Sequence, residues 1–150
     1  MKSLTQFINE VINNGILSDT IKKKVPGTSY NAIVEYYSGG KQKISIYNNL
    51  DEPFIQKLGD STYVYFKQYE QVNALSKNSF INCVIDSLKE IKISKNDISP
   101  NSNGSALVIN KKLSQNSIFK ICKFIYENIS KYKTNGDIDT VSYINLLKLF

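Results

Sequence analysis

Between residues 30 and 47 the apolar residues recur every second position, and this constrains the fold more than anything else in the chain. Tyr30, Ala32, Val34 and Tyr36 alternate with Asn31, Ile33, Glu35 and Tyr37. Ser38-Gly39-Gly40 interrupts the run, and Gln42, Ile44 and Ile46 then alternate with Lys43, Ser45 and Tyr47. Alternation puts successive side chains on opposite faces of a strand, and adjacent glycines supply the positive φ angles of a tight hairpin turn. The segment therefore reads as two antiparallel strands with one apolar face. Residues 62–67 (TYVYFK) read as a third strand of the same meander, and 106–110 (ALVIN) as a possible fourth. A sheet this small is marginal in water unless something covers its apolar face.

Helical spacing supplies the cover. Leu4, Phe7, Ile8, Val11 and Ile12 repeat at three and four residues, and Asn13-Asn14-Gly15 ends that stripe. A short helix is expected from Ser18 into Lys22-Lys23-Lys24, where cations suit the carbonyl end of the dipole, with Pro26-Gly27 as the closing turn. Phe80, Ile81, Val84, Ile85, Leu88 and Ile91 form another stripe. Ile118, Ile121, Cys122, Ile125 and Ile129 form the clearest one, within 113–131, and a last helix is expected over 140–149. Residues 94–105 read as a polar loop. The expectation is one α+β domain over residues 1–150, with a small antiparallel sheet of three to four strands covered by N-terminal and C-terminal helices.

Missing residue types narrow the chemistry. All 19 basic residues are lysines, and the chain has no histidine. Ser-His-Asp and Cys-His arrangements are thereby excluded, because imidazole is the base that activates the nucleophile. Zinc sites of the common kinds need histidines or more than the two cysteines, Cys83 and Cys122, and those two read as buried small hydrophobes. Without arginine there is no bidentate fork for phosphate or carboxylate. Asn135-Gly136-Asp137-Ile138-Asp139 suggests a calcium loop, but either register puts lysines at ligand positions, so Asp137 or Asp139 reads as a helix cap. A carboxylate pair from distant residues such as Glu35 and Asp60 is the remaining route to catalysis. No cofactor or metal is expected.

Seven of the ten tyrosines lie within residues 30–69. Tyr36, Tyr37, Lys41, Lys43, Tyr47, Tyr63, Tyr65 and Lys67 are the candidate binding residues, since tyrosine gives rigid contact area and lysine a polar, steering rim. A net charge of +6 favours a partner protein with an acidic surface. The expected role is a small cytosolic protein that is not an enzyme and binds and occludes such a partner, a toxin or a host enzyme. Bacterial immunity proteins and phage anti-defence proteins are of this kind. The alternative is an RNA- or single-stranded-DNA-binding module that stacks bases on the same tyrosines, and a third reading is a hydrolase or nuclease without histidine. No signal peptide or membrane-spanning run is visible, and the single methionine, Met1, reads as the native start.

Overall fold

A computed structural model describes residues 15–67 and 77–132. The expected first helix, the expected last helix and the Asn135–Asp139 loop lie outside these residues.

Among the described residues the sheet has seven strands, not three or four, and all neighbouring pairs are antiparallel. In chain order they are β1 (Leu17–Lys24), β2 (Asn31–Tyr37), β3 (Gln42–Tyr47), β4 (Ile55–Leu58), β5 (Ser61–Tyr65), β6 (Ile98–Pro100) and β7 (Ala106–Ile109). Their spatial order is β1-β2-β3-β4-β5-β7-β6. The helices α1 (Lys77–Glu90) and α2 (Gln115–Asn128) join them. The α+β class holds in general terms. The expected strand count does not, and among the described residues the covering helices come from the second half of the chain.

Three strands account for the difference. The segment beginning at Ser18 is not a helix but strand β1, every residue of which is exposed. Strand β4 carries only Ile55-Gln56-Lys57-Leu58, too short to display a period. Strand β6 sits inside the stretch that reads as loop and ends in Pro100, which suits a sheet edge because proline has no N–H to donate.

Register sorts the side chains onto two faces. Val34 stands opposite Ile44, and Ala32 opposite Ile46. Ile46 in turn pairs with Ile55, Ile55 with Val64, and Val64 with Leu107. This continuous apolar row belongs to one core with Phe80, Ile81, Val84 and Leu88 of α1 and Ile118, Ile121, Cys122 and Ile125 of α2. Burying each large side chain contributes about 1.5–3 kcal/mol. Ser114 caps α2, its Oγ accepting from the Ser117 amide at 3.1 Å. At the β1 end, Lys23 places its ammonium 5.4 Å from the Phe119 ring centroid, which ties the strand to α2.

Candidate binding surface on the sheet

The face away from α1 and α2 carries most of the expected binding residues. Tyr37, Lys43, Tyr47, Tyr63 and Tyr65 all lie on it, as their alternation and register require. Tyr36 points the other way and packs, half-buried, against the core. Lys41 is exposed in the β2–β3 turn, and Lys67 is exposed just beyond β5.

The tyrosines on this face are largely engaged with each other and with polar neighbours. Tyr63 and Tyr65, two apart on one strand, stack with centroids 6.0 Å apart and planes within 12°. Tyr65 donates its hydroxyl to Gln56 Oε1 at 3.4 Å, and Gln56 Nε2 donates to Ser45 Oγ at 3.2 Å, so one polar row crosses from β5 through β4 to β3. Burial, reinforced by neighbouring Tyr63, pushes the Tyr65 phenol above its ordinary pKa. A second cluster lies on β2 and β3. Tyr37 donates to Glu35 Oε2 at 3.3 Å, and Lys43 Nζ stands 3.9 Å from Glu35 Oε1. Tyr37 and Glu35 are only 4% and 9% exposed, and Ala106 and Val108 on the same face are also buried. Base stacking needs an open ring face. Tyr37 offers none, and Tyr63 and Tyr65 cover part of each other's.

The surface that sequence reasoning missed is β1. It is the longest strand among the described residues and forms one edge of the sheet. Ile16, Leu17 and Ile21 are 67%, 41% and 39% exposed, and Lys22-Lys23-Lys24 follow directly. Its start is held against the β2–β3 turn, where Ile16 N–H donates to Ser38 Oγ at 2.8 Å and Ser38 N–H returns a bond to the Ile16 carbonyl at 2.7 Å. Beside its lysine end lies a cleft of roughly 630 Å³ whose walls include Lys22, Lys24, Tyr47 and Asp51. A run of exposed apolar residues leading into three lysines was the available signal, but it resembled the end of a helix.

The remaining chemistry is sparse. Glu35 is taken up by Lys43 and Tyr37, while Asp60 lies in the β4–β5 turn beside a different cavity, so the two do not form a carboxylate pair. Cys83 and Cys122 are free and buried. Burial, aided by nearby Asp86, pushes the Cys83 thiol up to about 12, and burial also raises Cys122. Among the described residues no group of three or more His, Cys, Asp or Glu side chains could hold a metal ion, and no helix is long and apolar enough to cross a membrane. No protein-family model, curated protein or solved structure matches the chain.

Proposed function

We propose that the chain is a cytosolic protein-binding module that captures an extended, acidic segment of a partner along β1 and thereby occludes that partner's working surface. The observation that carries this reading is an eight-residue edge strand exposed along its whole length. An unpaired edge is a template for one more strand, which gains main-chain hydrogen bonds from pairing and specificity from alternate side chains. The opposite edge, β6, has three residues and ends in proline, so it offers far less. On β1 the three lysines and the net charge of +6 disfavour a second copy of this chain and attract an acidic segment. Ile21 supplies an apolar anchor on the same face as Lys23, opposite Lys22 and Lys24. Two free, buried thiols suit a reducing compartment, and a toxin or host enzyme is the kind of partner that occlusion would disable.

The test is capture from the source cell after nuclease treatment, comparing the parent with Lys22→Glu/Lys24→Glu and, as control, Lys95→Glu. A protein retained by the parent and the control but lost by the double variant, and released as salt rises, is the expected result. Recovery of nucleic acid without protein, or equal retention by all three, would overturn the proposal.

A further inference from the structure

Antiparallel pairing brings three connections to one end of the sheet. Strands β2, β4 and β7 finish there, and β3 and β5 begin there. The β2–β3 turn contributes Gly39, Gly40 and Lys41, the β4–β5 turn Gly59 and Asp60, and the link from β7 to α2 contributes Lys112. Together with Lys57 they border a cavity of roughly 500 Å³, within the range of small-molecule sites. All three glycines have positive φ, and a Cβ on any of them would meet nothing within 4 Å. The turns therefore bring backbone to the cavity without narrowing it.

Lys57 is the unexpected member. Its cross-strand partners are Ile44 and Thr62, so it stands on the face that packs beneath the helices, and it is only 6% exposed. Neither its ammonium nor that of Lys112 has a hydrogen bond or ion pair among the described residues. Burial and the charge of Lys112 draw the Lys57 pKa below its ordinary value, and Asp60 opposes them only in part. Thr62 is fully buried with an unpartnered hydroxyl. A partly desolvated ammonium beside a second one is stabilised when a negative group fills the space between them. Among the described residues that border the space, Lys57 and Lys112 face a single carboxylate, Asp60, so the space favours an anion such as a phosphate group.

We propose that this cavity binds the phosphate group of a small phosphorylated molecule, held by Lys57 and Lys112. Lysine serves here as a point charge, the role it plays in phosphate sites that lack arginine. The site is separate from β1, so it stands or falls independently of partner capture.

Calorimetric titration of the full chain with inorganic phosphate, pyrophosphate, AMP and adenosine tests it. The first three should bind saturably, and adenosine should not. Lys112→Met, an exposed position that does not threaten folding, and Lys57→Met should each weaken binding by tenfold or more, with Lys95→Met unchanged. AMP binding more tightly than phosphate would mark a nucleotide, and equal affinities a simple phosphate; both support the proposal. Absence of saturable binding up to about 10 mM, a range corresponding to only a few kcal/mol of affinity, would overturn it. So would binding that survives Lys112→Met but is lost in Lys22→Glu/Lys24→Glu.

Discussion

Raising the pH from 8 to 10 should destabilise this protein through its two buried thiols. In the unfolded chain a cysteine titrates near 9.0, whereas in the fold burial pushes Cys83 up to about 12 and raises Cys122 as well. A folded pKa above the unfolded one means stability that is complete below the unfolded value and lost as pH rises above it. At pH 10 an unfolded thiol is about nine-tenths ionised while its buried counterpart holds its proton, and integrating that difference from pH 8 gives about 1.4 kcal/mol per thiol. Both thiols together should cost about 3 kcal/mol, a large share of the roughly 5–15 kcal/mol that holds a domain folded. With a urea dependence of about 2 kcal/mol per molar, the midpoint should fall by more than about 1 M. The assay is urea unfolding at both pH values for the parent and for Cys83→Ala/Cys122→Ala. Packing lost in the variant shifts both its curves alike, so the parent-minus-variant change with pH isolates the thiols. Equal falls in parent and variant would refute the reasoning, as would rapid labelling of both cysteines by a thiol reagent in the native state at pH 8.

Replacing Thr62 by valine removes a buried hydroxyl with no partner, so stability should rise by about 1–2 kcal/mol, read as a higher melting temperature; a fall would mean the hydroxyl is satisfied. Ser114→Ala deletes the cap of α2 and should cost about 1 kcal/mol, or about 2–4 °C in a chain of this size. Gly15→Ala would place a Cβ 2.5 Å from Ser38 Oγ and 2.8 Å from its carbonyl at a φ of +87°, so exchange of the Ser38 amide, which donates to Ile16, should quicken while the core amides stay protected.

Where the sequence was readable, the cause was burial on one side. Strands β2 and β3 and helices α1 and α2 each pack one face into the core, so their apolar residues recur at the period of the element. Strand β1 has no buried face, and with nothing to sort its side chains, Lys22-Lys23-Lys24 looked like the basic end of a helix. Strand β4 misled in another way, because Lys57 occupies a core-facing position where alternation calls for an apolar residue. Of the expected binding residues, Tyr37, Lys43, Tyr47, Tyr63 and Tyr65 share one face of the sheet, whereas Tyr36 lies on the other. How far those rings are engaged was not legible, since the bond from Tyr65 to Gln56 depends on which strands lie side by side. The lysine cavity was invisible for the same reason: Lys41, Lys57 and Lys112 are distant in the chain and meet only at the sheet's end.

The strand order also sets a sequence of events in time. Strands β1 to β5 pair with their immediate neighbours in the chain, and each such hairpin can close in about 1–10 μs. Strand β7 reaches β5 only across the long intervening segment that includes α1, so this seam carries the largest loop-closure cost among the described pairings. Lys57 belongs to the early-forming part and Lys112 to the late one. A phosphate bound among them would act as a latch across the seam, slowing unfolding while leaving the early hairpins to form as fast without it.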